Sequence, residues 1–395
     1  MGSPILVINS GSSSIKFALV DALSKSQAQL QGTISELGGT PAFSARDHAG
    51  NALIGQLPPV ALDHESALAW LFSWLRDHHD EQLAGAGHRV VHGGEHFTEP
   101  ALINANVYAA LEQLVPLAPL HQPHNLAAIR ALMTLQPDLP QVACFDTAFH
   151  RTQDTLAQSF ALPREFTASG IKRYGFHGLS YEHIAGVLPQ HVEERADGRV
   201  IVAHLGNGAS LCAMRNCKSV ATTMGFTALD GLMMGTRCGS IDPGVMLYLM
   251  RDKAMSHDQI EDLLYRRSGL VGVSGLSSDM RELLASSSPE AKQAVDLFCY
   301  RAVREIGSLI AALGGLDALV FTAGIGEGAH EVRARICNGL GWLGLEIDDE
   351  ANRAHHTTIN SAQSRVAVCV IPTNEAGVIA RHTARVLGNT LSRAG

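Results

Sequence analysis

The sequence predicts an α/β protein with mixed sheets, organised as two related domains. Three observations point there. Short apolar runs alternate with amphipathic helical stretches along the whole chain. A strand, a polar Gly-containing turn and a second apolar run open the sequence, and the same unit returns in its second half. At 395 residues the chain is also long enough for two well-packed cores.

The first unit reads PILVINSGSSSIKFALVD. Residues 5–8 form a buried strand, and residues 15–20 keep strand character, so the loop between them joins a hairpin. Gly11 lets backbone N–H groups approach an anion, Ser12 and Ser14 add hydroxyl donors, and Lys16 adds positive charge. The pattern is not the Walker A loop, which needs a Gly-Lys-Ser/Thr ending and a following helix. Taken alone it is either a phosphate cradle or an ordinary turn. Its echo is His204-Leu205-Gly206-Asn207-Gly208-Ala209-Ser210, again after a strand.

Residues 142–145, 201–203, 318–322 and 366–371 read as further buried strands. Asp63 caps a helix whose apolar face carries Leu68, Leu71 and Leu75; Asn125, after Pro123-His124, caps another. Residues 294–313 form a long amphipathic helix stopped by Gly314-Gly315. A third Gly-rich turn, Gly324-Ile325-Gly326, follows a strand but lacks the third glycine of a dinucleotide fingerprint.

Composition narrows the function. The net charge of −8 argues against nucleic acid or an anionic membrane as partner. No apolar run reaches a membrane span, and no secretory leader is evident. Seven cysteines without a C-x-x-C suit reduced thiols in a cytoplasm. His88, His92 and His96 do not make a metal site: the surrounding valines and glycines oppose a helix, and strand residues four apart are separated by about 13 Å.

The stretches INSGSSSIKF, GHRVVHGGE, PLHQPHNL, CFDTAFH, RYGFHG, AHLGNGAS, MGFTALDGLMMGTRCGSIDPG, SGLSSDMR, FTAGIGE and IPTNEA together resemble the acetokinase family, over essentially the whole chain. The resemblance implies two domains of the actin-like ATPase (ribonuclease H-like) type with a nucleotide cleft between them. One would span residues 1–146 plus 375–395, closed by the C-terminal helix; the other would span 147–374 and carry the dimer interface. It implies reversible, Mg²⁺-dependent, in-line transfer of the ATP γ-phosphoryl group to acetate, giving acetyl phosphate and ADP in a cytoplasmic homodimer. Mn²⁺ would substitute for Mg²⁺. A propionate or other short-chain fatty-acid kinase is the nearest alternative, and an ATP-driven actin- or chaperone-like interaction protein a distant one.

Joining two anions requires charge neutralisation and alignment. Guanidinium groups grip carboxylate and phosphoryl oxygens with paired bonds. The resemblance assigns Arg89 and Arg237 to that task, and His177 as a donor to the phosphoryl oxygens in the transition state. From their flanks, Arg89 is expected between a Gly-rich run and a strand, and Arg237 among small residues. Asp146, at a strand end, Glu375, at the start of the last helix, and Asn9 would hold Mg²⁺. His204, Gly206, Asn207, Gly208, Asp279, Met280, Arg281, Gly324, Ile325 and Gly326 would bind ATP, together with Ser12, Ser14 and Lys16. His121 and His204 would lie near the phosphates or serve structure. The acyl pocket maps to Val91, Leu120 and Phe176, with Ala228 where the family has proline. Further departures are Ala221 where the family has Asp, Asp230 for Glu, Ser240 for Asp, Gly328 for Asn, and Tyr181 for a histidine.

Overall fold

The computed structural model describes residues 3–21, 28–79 and 82–394, with side chains to residue 388 in the last helix. The chain divides into two units, Met1–Ala148 with Asn374–Gly395, and Phe149–Thr373.

The first unit holds β1 (Ile5–Ser10), β2 (Ser14–Val20), β3 (Ala28–Ser35), β4 (Ala42–Asp47), β5 (Ala52–Leu53), β6 (Gly85–Val90), β7 (Ala101–Leu102) and β8 (Gln141–Phe145). Their order is β5-β4-β3-β2-β1-β6-β8-β7. The first five strands form an antiparallel meander, and β1, β6 and β8 run parallel. The opening loop is a hairpin loop as expected, with Lys16 opposite Asn9 and the Gly11 N–H donating to the Ser14 carbonyl at 2.8 Å. Alternating apolar residues of β1 and β2 pack with Leu68, Leu71 and Leu75 of the helix His64–His78. Asp63 caps that helix: its carboxylate accepts the Ser66 N–H, and the Ser66 hydroxyl accepts the Asp63 N–H.

The second unit holds β9 (Arg199–Leu205), β10 (Ala209–Arg215), β11 (Lys218–Thr222), β12 (Ala318–Thr322) and β13 (Ala367–Val370) in the order β11-β10-β9-β12-β13. β9, β10 and β11 are antiparallel, and β9, β12 and β13 parallel. This repeats β3-β2-β1-β6-β8 strand for strand. The two loops that look alike in sequence are thus the same hairpin in two copies of one topology.

Four local expectations are corrected. Arg89 lies inside β6, not ahead of a strand, because the glycines before it are strand residues. They are small for packing: a Cβ on Gly87 would meet Thr383 Oγ1 at 2.4 Å and Ile379 Cγ2 at 2.5 Å, both on the C-terminal helix Glu375–Ala394. Asn125 is not a cap. Its helix, Gln122–Leu135, starts a turn earlier with His121 at the N-cap, helped by Pro123 in the first turn. Gly324-Ile325-Gly326 is not a turn but part of the short helix Ala323–Gly328. The Glu327 carboxylate accepts the Ala323 N–H at one end. Arg333, fully buried, ties the Gly326 and Glu327 carbonyls at the other. The long helix also begins earlier than its apolar pattern suggests, spanning Pro289–Leu313 with Ser288 as cap, and ends at Gly314 with φ 75°.

All seven cysteines are free thiols. Among the described residues, no helix is long and apolar enough to cross a membrane.

Candidate active site

In the first unit, register brings the polar groups together. Ile8 pairs with His88, and Val90 with Phe145, so Asn9, Arg89 and Asp146 stand at one end of three parallel strands. The Arg89 guanidinium donates from Nε and Nη2 to both Asp146 oxygens, at 3.0 and 2.6 Å, and from Nη1 to Asn9 Oδ1 at 3.4 Å. Glu375 Oε2 is 3.9 Å from Nε. Burial would lower the Arg89 pKa, but Asp146 and Glu375 outweigh it and raise it. Asp146 is 1% exposed and Arg89 20%, so the pair keeps one open side. A cavity of about 360 Å³ opens beside it, lined by Asn9, Lys16, Thr33, Ser44, Arg46 and Glu375. Ser12 sits in the hairpin loop, and Ser14 opens β2. Val91 follows β6 and is buried, Leu120 is half-buried, and His121 is the N-cap already described.

Asn125 has a role that its sequence position conceals. It is 2% exposed; its Oδ1 accepts the Val91 N–H at 3.0 Å and its Nδ2 donates to the Ser10 carbonyl at 2.7 Å. It clamps the ends of β1 and β6. Gln122 does likewise for His92, bonding both its N–H and its carbonyl.

Asn9, Asp146 and Glu375 offer only oxygen, the donor type Mg²⁺ takes. Among the described residues no three His, Cys, Asp or Glu are grouped to hold a metal by themselves. Water and phosphate oxygens would complete the shell, which is how Mg²⁺ is commonly bound with a nucleotide. The donor set fits that ion.

In the second unit the echo loop is the centre. His177 adopts a left-handed conformation, φ 57°, immediately before the helix Gly178–Val187. That turn aims its ring back over the loop. A Cβ on Gly208 would stand 2.6 Å from Arg237 Nη2 and 3.3 Å from His177 Nε2, so only glycine lets both groups close on this point. Arg237 Nη1 donates to the Ala228 carbonyl at 2.5 Å. The Gly235 N–H donates to the Asn207 carbonyl at 3.0 Å, holding the Arg237 segment against the loop. His204 is the last residue but one of β9 and stacks on His177, ring centroids 4.2 Å apart. Phe176 is buried, and its carbonyl bonds His150 Nε2.

The remaining expected nucleotide residues are spread over two further helices. Asp279 caps the helix Met280–Ala285 by accepting the Arg281 N–H and also pairs with the Arg281 guanidinium at 2.6 Å. Met280 is buried while Arg281 is exposed. Gly324, Ile325 and Gly326 lie on the helix after β12. Two departures from the family pattern prove to be partners: the Ser240 hydroxyl donates to Asp230 Oδ1 at 2.6 Å. A hydroxyl thus stands where a second carboxylate would repel the first.

Sequence reading missed Asn125 and Gln122 as clamps, and Ser180, Ser210 and Thr373 altogether. Ser210 carried one signal, its place two residues past Gly208.

Two sheets of shared topology, each with polar and cationic side chains gathered at its strand ends, have the architecture of the actin-like ATPase type. The comparisons say which family. A profile of the Acetokinase family matches residues 4–381, and the chain belongs to that family. It is 54% identical to the acetate kinase of Rhodopseudomonas palustris, over 98% of this chain and 99% of that protein. It is 48% identical to the acetate kinase of Rhizobium meliloti, over 96% and 97%. Among solved structures, a propionate kinase from Francisella tularensis superposes with TM-score 0.91 at 38% identity, over 96% of this chain and 99% of that one. Porphyromonas gingivalis acetate kinase gives 0.88 at 35% identity, over 98% and 100%.

Proposed function

We propose that the chain transfers the γ-phosphoryl group of ATP reversibly to acetate, giving acetyl phosphate and ADP by direct in-line displacement. The observation that carries this is the closure of Arg237 Nη2 and His177 Nε2 on Gly208. Two donors on one point of a glycine loop suit a phosphoryl group gathering charge in transit. Arg89 and Arg237 bind the acceptor carboxylate and the transferring group. Val91, Leu120, Phe176 and Ala228 border the acyl methyl group. Gly206, Asn207 and Gly208, with Ser12, Ser14, Lys16 and His204, lie along the phosphates. Asp279, Met280, Arg281, Gly324, Ile325 and Gly326 hold the rest of ATP. Mg²⁺ would be held by Asp146 and Asn9, and by Glu375 through water; it neutralises phosphate charge when bound.

A homodimer agrees with the helix Pro243–Arg251, which has no buried residue within the chain and exposes Leu247 and Met250. The free thiols agree with a reducing cytoplasm. An actin- or chaperone-like role gives Arg89, His177 and Arg237 nothing to do.

Propionate is the second reading, favoured by Ala228 in place of proline. Trapping acyl phosphate with hydroxylamine, from Mg·ATP with acetate, propionate or butyrate, tests both. Acetate leading, with Arg237→Ala nearly inactive, supports the proposal; propionate leading moves the substrate. ATP hydrolysis without any acyl phosphate overturns the kinase assignment.

A further inference from the structure

We infer that Tyr181 and Ser210 are positioning residues that fix His177 as an Nε2–H donor, and that Thr373 and Ser180 fix His204 in the same way. The inference rests on His177 facing the phosphoryl group.

Ser210 is fully buried on β10. Its Oγ lies 2.8 Å from His177 Nδ1 and 2.5 Å from the Tyr181 hydroxyl. Among the described residues neither hydroxyl has another hydrogen-bond partner. A serine hydroxyl has one hydrogen to give. If the tyrosine donates to Ser210, the Ser210 hydrogen goes to His177 Nδ1, and every hydrogen is used. In the reverse order His177 Nδ1–H donates to Ser210 and Ser210 to Tyr181, stranding the phenolic hydrogen in the core. An unpaired buried donor is the costlier state. Burial also pushes the Tyr181 hydroxyl well above its ordinary range, so it keeps the proton it must give. The chain therefore runs Tyr181 to Ser210 to Nδ1, and the ring hydrogen stands on Nε2.

A parallel chain serves the second ring. The Thr373 hydroxyl donates to Ser180 Oγ at 2.8 Å, and Ser180 Oγ lies 2.8 Å from His204 Nδ1. Thr373 donates into Ser180 Oγ, and a second bond accepted from His204 would strand the buried Ser180 hydrogen, so Ser180 gives that hydrogen to His204. Both Nε2 atoms turn to the same loop: a Cβ on Gly206 would be 3.9 Å from His204 Nε2, as one on Gly208 is 3.3 Å from His177 Nε2. Ser180 and Tyr181 are neighbours on the first turn of the helix Gly178–Val187, so one helical turn orients two stacked imidazoles. Which nitrogen of a histidine carries hydrogen is set by the bond its other nitrogen makes. The tyrosine that departs from the family pattern is thus the head of a hydroxyl chain, not a vacant substitution.

The test is the protonation pattern of His177 and His204 in the full-length protein labelled with ¹⁵N-histidine, read from long-range ¹⁵N–¹H correlations and assigned with single-histidine variants. Wild type should show bare Nδ1 and protonated Nε2 on both rings. Tyr181→Phe deletes only the phenolic oxygen and frees Ser210 to accept. It should mix the His177 forms, leave His204 alone, and lower kcat for acetyl phosphate about tenfold. KM for ATP should stay within about twofold, because ground-state binding is untouched. Ser210→Ala should give the same signature independently. A hydrogen on His177 Nδ1 in wild type overturns the inference. So does a Tyr181→Phe protein with unchanged forms and unchanged kcat. Because the nitrogen signals need no turnover, absent acyl phosphate with bare Nδ1 would sink the functional proposal and leave the relay standing.

Discussion

Arg237 donates through Nη1 to the main-chain carbonyl of Ala228 at 2.5 Å. One edge of the guanidinium is therefore anchored by backbone from the segment assigned to the acyl pocket, while Nη2 turns to Gly208. The anchor does not depend on which side chain residue 228 carries.

Ala228→Pro should for that reason narrow the pocket while keeping the carbonyl that holds Arg237. A pocket change of one or two methylenes is worth about 1–3 kcal/mol of discrimination. The ratio of kcat/KM for propionate over acetate should fall about tenfold, measured with the two acids in competition. An unchanged ratio would remove residue 228 from the acyl pocket.

Gly208→Ala tests the convergence itself. The new methyl group would fall 2.6 Å from Arg237 Nη2, the far end of a flexible side chain, so the arginine yields and the fold survives. A displacement near 1 Å costs on the order of 10²-fold in a well-aligned site. We expect that loss in kcat with a melting temperature close to wild type. A fully active alanine variant would mean the loop is not at the reacting group.

Asn125→Ala should cost stability and activity together. It strands the Val91 N–H and the Ser10 carbonyl, both buried, at about 1–3 kcal/mol for each group left unpaired. The midpoint of urea unfolding should drop with little change in slope, whereas replacing a helix cap on the surface would cost about 1 kcal/mol.

Acid should destabilise the first unit through its buried histidines. Burial lowers the pKa of His88 to about 4, against a partial gain from Gln141, and lowers that of His92 to about 4 as well. At His92 the Gly94 N–H donates to Nδ1, which a proton would displace. Between about pH 6.5 and 4 the unfolded chain binds more protons than the folded one, so stability rises with pH and is lost as pH falls. Each histidine accounts for on the order of 2 kcal/mol by about pH 5. Thermal melts at pH 7 and pH 5 should show the loss, and His88→Gln should lose less between the two.

Much of the site was legible because its signals are local. The two hairpin loops announce themselves by a polar, Gly-containing run between apolar runs, and Asp63 sits where an N-cap sits. Asp146 follows a short apolar strand, where α/β sheets gather ligand groups. The misread residues have other causes. The glycines ahead of Arg89 look like a loop until the C-terminal helix packs on them, and nothing near Gly87 in the chain mentions Thr383. Asn125 follows the same rule, its amide answering the Ser10 carbonyl 115 residues away. Gly324–Gly328 has a nearer cause: Glu327 and Arg333, within seven residues, bracket the short helix, and glycines by themselves read as a turn.

The sequence by itself determined the alternation of strands and helices, the doubled hairpin, and the residue types able to neutralise two anions. These depend on period, turn chemistry and charge, which neighbours along the chain dictate. Tertiary structure alone decided that β1, β6 and β8 bring Asn9, Arg89 and Asp146 to one edge, and that Tyr181, Ser210 and His177 form a chain of hydrogens. Strand register and hydroxyl direction depend on partners far apart in sequence, so they come into being only when the sheets close.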